Sequence, residues 1–474
     1  MKVYKNLRYV ALSLGLLFST SACDDALDVQ PQDELVSDIA LENINDFRLA
    51  LNGVYSGLTS GSYYGAAMEI NLAYLSDNAR RSVDNRGQGA ELYNYTFNAN
   101  TGDAAAMWSA MYRVVDRANI ILTRIDAVEG TQAEKDQIKG EALMARALAY
   151  HDLVRLFAKS YDATPDASHL GVPILLESKI SEPARNTVKE VYDQINEDLA
   201  AAKALMKDGA KAPSKFTPTA ANALSARVAL YQKNYPKVVE YATAALNAKG
   251  VANMTTFANM WEQGNATGEA YVKLTMEVGN TRLGEAFYEV ILNTAFINPT
   301  EELLNLYDKE DDVRYTSYFT SIPGREAGEN IVTKYTDLDS NQPGLTDIYL
   351  LRAGEMLLSR AEAYARLGQD DLALADLNTL RSNRIEGYVA VTGLTGQALL
   401  DAIITERRKE LAYEGHRYFD LKRLNRALTR GADCSAAPQS NCTIPAGNFR
   451  FTFPIPQDEV FANKNIVQNE GYTQ

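Results

Sequence analysis

The sequence predicts a mainly α-helical fold in which repeated helix pairs carry large irregular loop insertions. Three observations predict it. Long segments space their apolar residues three and four apart, which is the period of a helix with one buried face. Two separate helix pairs repeat one spacing of small or apolar residues. Between these pairs, over residues of about 251–344, the helical period is lost and glycine, asparagine and proline are frequent.

The first part of the chain predicts three amphipathic helices in succession. They are "AAMWSAMYRVVDRANIILTRIDAV", "EKDQIKGEALMARALAYHDLVRLFAKSY" and "TVKEVYDQINEDLAAAKALM". Thr187 is the expected N-cap of the third helix. Trp108 lies on the apolar face of the first and is expected to pack. His151 lies among apolar residues of the second, so we interpret it as a satisfied interior group rather than a ligand.

The two later helix pairs share a spacing across a tight turn. In "ANALSARVALYQKNYPKVVEYATAAL" and in "EMLLSRAEAYARLGQDDLALADLNTL", small or apolar residues are separated by 12, 4 and 3 positions. This spacing resembles that of tetratricopeptide repeats, whose small residues let two antiparallel helices approach closely. The pairs begin 135 residues apart rather than one repeat apart. We therefore predict repeats interrupted by insertions, not a tandem solenoid.

A single domain is predicted over residues 24–474. Its helical repeat scaffold covers about 107–250 and 345–428, with a loop-rich insertion at about 251–344 and a loop-rich C-terminal region at 429–474. Within the insertion, "AYVKLTMEV" and "FYEVILNTAF" are expected to be extended, and Trp261 is expected to pack. Loops held on a rigid scaffold are typical carriers of binding function.

The N-terminus predicts export and lipid anchoring. Lys2, Lys5 and Arg8 precede a short apolar run, and small residues stand directly before Cys23. Residues 1–23 are therefore interpreted as a lipoprotein signal peptide with Cys23 as the lipidated residue, the alternative being an ordinary secretory signal. The formal net charge of −14 makes nucleic acid an improbable partner, because an acidic surface repels phosphate.

The sequence offers no catalytic constellation. The three histidines are far apart, and no zinc-binding, Walker, dinucleotide-binding or nucleophile-elbow motif is present. We expect no enzyme activity and no cofactor. Asp337, Asp339 and Asn341 alternate as in a calcium loop, but they are better interpreted as a polar turn because the glycine and glutamate of an EF-hand are missing.

Two other features concern structure. Cys434 and Cys442 are candidates for a disulfide in an oxidising compartment, with two free thiols as the alternative. "RRKELAYEGHRYFDLKRL" is the densest run of ionisable residues, with one helix expected to end at Gly415 and another to follow. We interpret it as a salt-bridged joint in which basic neighbours offset an acidic row; the row is Glu406, Glu410 and Glu414, and the neighbours are Arg407, Lys409 and Arg417.

These segments together resemble the SusD/RagB family of outer-membrane nutrient-binding lipoproteins. "ERRKELAYEGHRYFDLKRL" is similar to the most recognisable family segment, which has the pattern ER-x-x-EL-x-x-EG-x-R-x-x-DL-x-R. "YLLRAGEMLLSRAEAYARLG", "WSAMYRVVDRANIIL" and "CDDALDVQPQDEL" resemble further family segments in the same order. The matching positions in the main segment are Glu406, Arg407, Glu410, Leu411, Glu414, Gly415, Arg417, Asp420, Leu421 and Arg423.

The resemblance implies a fold with about four tetratricopeptide-like units and an irregular ligand-binding face. It implies a lipoprotein on the outer membrane, facing the cell exterior, that binds oligosaccharide and delivers it to a SusC-like TonB-dependent transporter. A peptide-binding member of the family and a non-catalytic envelope scaffold are the alternatives.

The resemblance also places the ligand pocket in the early loops and in the insertion. Aromatic faces there would stack on sugar rings, while polar side chains would bind hydroxyls. The candidate ligand-binding residues are Tyr63, Tyr64, Asp77, Asn78, Arg81, Tyr93, Tyr95, Phe287, Tyr288 and Asn293.

Overall fold

The computed structural model describes residues 41–207, 213–262, 266–325, 330–338, 340–436 and 441–473. The predicted signal peptide and Cys23 lie outside these residues. The fold is mainly helical, with short two-stranded sheets. In the described segments, no helix combines the length and the apolar character needed to cross a bilayer.

The first part of the chain is a helical bundle, and the predicted long helices are confirmed. Capping boxes begin three of these helices, at Asn43, Thr131 and Thr187. In each, the side chain of this first residue accepts from the backbone N–H three residues on, and the acidic side chain at that position accepts from the backbone N–H of the first residue. The elements are α1 (Ile44–Leu58), α2 (Ala67–Tyr74), β1 (Ala79–Arg81), α3 (Ala90–Tyr93), α4 (Gly102–Arg124), α5 (Gln132–Phe157) and α6 (Val188–Leu205). Helix α5 lies at the centre and packs against both α4 and α6.

The first predicted helix pair is α7 (Pro218–Tyr231) with α8 (Tyr235–Ala248). Ala226, Ala242 and Ala245 are completely buried between the helices. Because alanine keeps the interhelical distance short, the spacing observed in the sequence is the packing seam of the pair.

The insertion after α8 contains short elements in place of long helices. They are α9 (Met254–Glu262), β2 (Ala270–Leu274), α10 (Leu283–Phe287), β3 (Ile297–Pro299), α11 (Glu301–Leu304), α12 (Val313–Tyr318), β4 (Phe319–Ser321), β5 (Asn330–Val332) and β6 (Ile348–Arg352). Strands pair antiparallel as β1 with β3, β2 with β6 and β4 with β5. The β2–β6 pair is fully buried and joins the two ends of the insertion at its base.

One extended segment in the insertion was predicted wrongly. "FYEVILNTAF" was expected to be extended, but its start belongs to α10 and its remainder forms a turn closed by a bridge between Glu289 and Thr294. Asn293 has a φ of 49°, a left-handed conformation that asparagine tolerates better than most residues. The chain therefore reverses where the apolar alternation favoured a strand.

The second helix pair follows the insertion, as predicted. The C-terminal elements are α13 (Ala353–Arg366), α14 (Asp370–Ser382), α15 (Gly396–Glu410), α16 (His416–Arg423), β7 (Leu428–Thr429), β8 (Thr443–Ile444) and α17 (Gln457–Ala462). Helix α13 packs against α8, so the two repeat pairs are neighbours in space although far apart in sequence. Strands β7 and β8 pair antiparallel, and the predicted disulfide joins Cys434 to Cys442 with a Cα–Cα distance of 5.7 Å.

The turn between α15 and α16 requires glycine. Gly415 has a φ of 73°, and a Cβ there would lie 2.8 Å from the carbonyl oxygen of Met68. A side chain would therefore add a close contact to an unfavourable backbone conformation. The absence of a side chain at Gly415 therefore allows this turn to pack directly against α2.

The acidic row in this joint is buried and paired, which confirms that it is structural. Glu410 is completely buried and lies 2.6 Å from Arg352, 3.0 Å from Arg384 and 3.1 Å from Arg314. Burial alone would raise the pKa of Glu410, but the charges of these three arginines hold that pKa well below its ordinary value. We refer to the group of Glu269, Arg314, Arg352, Arg384, Glu406, Glu410 and Glu414 as the ion-pair joint.

The predicted partners within this joint were mostly wrong. Arg407 pairs with Asp420 at 3.0 Å, and Arg417 pairs with Asp77 at 2.7 Å. Of the three proposed neighbours only Lys409 approaches the row, 3.8 Å from Glu406. Side chains next to each other along a helix point in different directions, so the glutamates meet arginines from the insertion, from β6 and from the end of α14 instead.

Candidate functional site

Two of the predicted ligand residues belong to the core. The hydroxyls of Tyr63 and Tyr64 each donate to Oδ2 of Asp152 at 2.6 Å, and their ring centroids are 4.5 Å apart. Asp152 also pairs with Arg155. Both tyrosines are buried. Their polar ends therefore tie the loop after α1 to helix α5.

Among the other candidates, the structure brings the loop that begins at Arg81 beside the segment that carries Tyr288 and Asn293, since β1 pairs with β3. Beside this pair, the backbone N–H of Ser82 donates to the carbonyl oxygen of Phe296 at 3.2 Å. The N–H of Ala295 donates to Oδ2 of Asp84 at 3.0 Å. The early loop and the insertion thus form one surface, which we define as residues 81–88 with 288–295 and call the loop face.

Most candidate aromatic rings beside the loop face are covered. Tyr93 lies under the guanidinium of Arg430, 3.7 Å from the ring centroid. Phe287 stacks on Tyr335 with centroids 5.8 Å apart, and Tyr95 donates its hydroxyl to a backbone carbonyl at 2.6 Å. This corrects the expectation that these rings are open, because neighbouring side chains already occupy their faces.

The candidate polar residues next to these rings are also engaged. Asp77 binds Arg417 through both carboxylate oxygens, and Asn78 accepts from Arg408 at 2.8 Å. Both are buried. The hydroxyl of buried Tyr288 donates to Oδ1 of Asn293 at 3.0 Å.

The open part of the loop face is aliphatic and polar. Arg81 is half-buried and donates to Oδ1 of Asn85 at 2.8 Å, while Asn293 is exposed. Val83, Ile291 and Leu292 are 65%, 87% and 70% exposed. Ligand contact by Arg81 and Asn293 stays a prediction.

A concave region lies between the end of α1 with the loop that follows it (residues 56–61), helix α4 and residues 279–281 of the insertion. It has a volume of about 310 Å³. Gly61 is essential to its shape, since a Cβ there would lie 2.5 Å from Oγ1 of Thr281. We call this site the polar recess; its lining side chains include Ser56, Thr59, Ser60, Arg113, Arg117, Asn280 and Thr281.

The polar recess is rich in groups that bind hydroxyls. Hydroxyl and amide side chains both donate and accept hydrogen bonds. Arg117 donates to the carbonyl oxygen of Gly53 at 2.6 Å, which fixes its guanidinium. Burial, and then the charge of Arg113, lower the pKa of Arg117 from its ordinary value. None of the described residues lining the recess is Asp, Glu or His.

The residues of the polar recess are not among the predicted ligand contacts, because those were expected to be aromatic platforms with polar neighbours. Two signals were present. "GLTSGSYYG" is a run of small and hydroxyl-bearing residues, and Arg113 and Arg117 stand four apart on one helix face. The recess nevertheless requires Asn280 and Thr281, which are distant in sequence.

His151 is buried as predicted, but it is not satisfied. Neither ring nitrogen has a hydrogen-bond partner within the described structure, and the rings of Tyr192 and Tyr231 pack edge-on against it. Burial lowers the pKa of His151 well below its ordinary value, and the charges of Arg155 and Arg227 lower it further. The imidazole is therefore held neutral.

Over the described ranges, no three or more His, Cys, Asp or Glu residues are grouped so that they could hold a metal ion. Asp339, the central residue of the calcium-like turn, lies outside the described residues.

Comparisons with protein families match nearly the whole chain. A family model described as "Starch-binding associating with outer membrane" matches residues 25–230, and one described as "SusD family" matches residues 251–472. SusD-like protein P2 of Formosa agariphila is 24% identical over the full length of both proteins. Starch-binding protein SusD of Bacteroides thetaiotaomicron is 35% identical over 129 residues, 27% of this chain and 22% of that protein.

Solved structures show the same fold. A SusD superfamily protein of Bacteroides thetaiotaomicron has a TM-score of 0.80 and 25% identity, covering 90% of this chain and 99% of its own. A SusD superfamily protein of Bacteroides vulgatus has a TM-score of 0.80 and 25% identity, covering 91% and 100%. The helical repeats with their insertions are therefore the architecture of this superfamily.

Proposed function

Because the chain belongs to the SusD/RagB family, we propose that it is a lipoprotein that captures oligosaccharide at the cell surface and delivers it to a SusC-like TonB-dependent transporter. The observation that carries this proposal is the polar recess. It combines concave shape, hydroxyl and amide groups, and two guanidinium groups at the junction of early loops and insertion.

The recess suits a sugar edge better than a sugar face. Its volume of about 310 Å³ is at the lower end of ligand sites, so it accommodates a short stretch of a glycan rather than a folded polymer. With the candidate rings packed in the core, hydrogen bonds to hydroxyls would supply the specificity. The exposed aliphatic residues of the loop face would supply apolar contact to neighbouring sugars.

The remainder of the proposal concerns location and partner. The signal at residues 1–23 and Cys23 support a lipid anchor, and a matching family model is described as associating with the outer membrane. The transporter partner is proposed from the family membership alone. A lining without carboxylate or histidine supports binding without catalysis.

The proposal is tested by binding and co-purification. The full-length chain in detergent is titrated by calorimetry against neutral oligosaccharides and peptides, and it is affinity-purified from its own membranes. Saturable oligosaccharide binding and recovery of a TonB-dependent barrel are expected. Binding only to peptides would replace the ligand class, and a complete absence of binding would overturn the capture function.

A further inference from the structure

A second concave site differs from the polar recess in its charge. It has a volume of about 490 Å³ and shares no lining residue with the recess. Six cations line it against two carboxylates, although the whole chain has a formal net charge of −14. We call it the basic cleft; its charged lining residues are Lys159, Lys233, Arg366, Lys422, Arg423 and Arg426 with Asp162 and Glu470.

Part of this positive charge supports the fold. Helices α5, α7, α13 and α16 all end near the cleft, and helix C-termini attract cations. The ammonium of Lys422 donates to the carbonyl oxygens of Arg155 at 2.6 Å and Ala158 at 2.7 Å, which caps α5. The guanidinium of Arg423 is fixed by Glu362 at 2.7 Å and Asp420 at 2.8 Å.

The other four cations of the cleft fall into two groups. Three are paired with carboxylates, Lys159 with Glu470, Lys233 with Asp162 and Arg426 with Asp401. Within the described segments, neither Lys422 nor Arg366 has a carboxylate at ion-pair distance. Burial, and then the charge of Arg155, lower the pKa of Lys422 to about 7, which is the expected consequence of a buried ammonium without a counter-ion.

The rest of the lining is suited to a sugar. Tyr235 is a half-buried aromatic residue in the wall, whereas the ring of Phe449 already lies under the guanidinium of Arg450, 4.5 Å from its centroid. Burial raises the pKa of Tyr235, so its hydroxyl stays protonated and able to donate. The side-chain amide of Asn425 can bind hydroxyls, whereas Asn448 Oδ1 already accepts from the N–H of Arg450 and the NH2 of Asn469 donates to the carbonyl oxygens of Phe157 and Phe453.

We propose that the basic cleft binds a sugar that carries an anionic group, either carboxylate or sulfate. Arg366 and Lys422, the two lining cations without a carboxylate at ion-pair distance in the described structure, hold the anion, while Tyr235 and Asn425 contact the ring and its hydroxyls. This inference rests on the proposed capture of oligosaccharides, and it adds a second site with its own ligand class. A long polyanion such as nucleic acid is disfavoured by the acidic surface around the cleft.

The test uses the full-length chain in detergent with three probes: oligogalacturonate for carboxylate, a carrageenan oligosaccharide for sulfate, and maltoheptaose as the neutral sugar. The cleft variant is Arg366→Gln with Lys159→Gln, since both residues are exposed. The control is Arg48→Gln with Lys179→Gln, which removes the same charge at exposed sites outside the cleft. Melting temperatures confirm that both variants fold.

One anionic probe is expected to bind at least tenfold more weakly to the cleft variant, while the control variant keeps wild-type affinity. Added salt should weaken that binding, and maltoheptaose should be unaffected by the cleft variant. Equal loss in both variants, or anionic binding unchanged by the cleft variant, would overturn the inference. Binding of maltoheptaose alone would overturn it and leave the proposed function intact, whereas failure of all probes would overturn both.

Discussion

The ion-pair joint and the basic cleft are built from the same residue types and both border α16. They differ in how completely their charged side chains are buried and paired. In the joint, each buried carboxylate meets arginines at close distance, so that Glu410 alone contacts three of them. In the cleft, cations outnumber carboxylates and some face an open volume. Sealed and matched charges hold the scaffold together, whereas open and unmatched charges are available to a ligand.

The largest effect is expected from breaking the joint. Arg352→Met leaves Glu269, Glu410 and Glu414 with one fewer partner each, in the buried interior. Removing one member of a buried ion pair costs about 3–5 kcal/mol, so the free energy of unfolding should fall by that amount in urea denaturation. The matched control is Arg48→Met, which breaks an exposed pair with Glu134 and should cost less than about 1 kcal/mol. Equal losses would mean that the joint is not a special source of stability.

The joint should also make the protein sensitive to acid. Although burial opposes it, the charges of Arg314, Lys409 and Arg381 lower the pKa of Glu406 to about 2. A carboxyl with a lowered folded-state pKa contributes stability above its unfolded value, and this contribution is lost as the pH falls towards 2. The loss from Glu406 is on the order of 3 kcal/mol between about pH 4.5 and 2. Urea midpoints measured across that range should fall, and a flat profile would contradict the assigned pairing.

Gly415→Ala should destabilise by about 1–3 kcal/mol, because it combines a positive φ with a close contact to Met68. Gly368→Ala is the matched control, since its φ of 72° is almost the same and its Cβ would meet open space. Thermal denaturation of the two variants separates the backbone cost from the contact. Identical melting temperatures would show that α2 shifts enough to accommodate the added Cβ, so that the contact with Met68 costs nothing.

The smallest effect is expected at the polar recess. Asn280→Ala should weaken oligosaccharide binding by roughly tenfold, the loss of about one hydrogen bond to the ligand. The substitution also removes the bond that Asn280 Oδ1 accepts from the N–H of Glu277 at 2.7 Å, so the melting temperature is measured to show that the variant folds. Thr379→Val, at an exposed position on α14 outside the recess, is the control. Isothermal titration of both variants makes the comparison, and equal affinities would exclude Asn280 from ligand contact.

The sequence predicted what depends on short-range periodicity. The helix pairs were predicted because Ala226, Ala242 and Ala245 follow the helical period, and the two pairs are adjacent as a repeat architecture requires. The partners of Glu410 were not predicted, because Arg314 lies 96 residues away and meets it only through the packing of the insertion.

The candidate site was likewise predicted only in part. The family resemblance implied correctly that the early loops meet the insertion. They meet where β1 pairs with β3. Which side chains remain open was not predictable from residue type. A tyrosine such as Tyr63 or Tyr64 can either stack on a sugar or donate a hydrogen bond inside the core. Both hydroxyls donate to the buried carboxylate of Asp152, so both side chains belong to the core.

The most direct test of the central claim is calorimetric titration of one bound neutral oligosaccharide against the wild type, Thr281→Val and Tyr64→Phe. Thr281 lines the polar recess, whereas the hydroxyl of Tyr64 is committed to Asp152. The account predicts weaker binding for Thr281→Val and wild-type affinity for Tyr64→Phe. Loss of affinity in Tyr64→Phe with none in Thr281→Val would contradict it and return the site to the tyrosines.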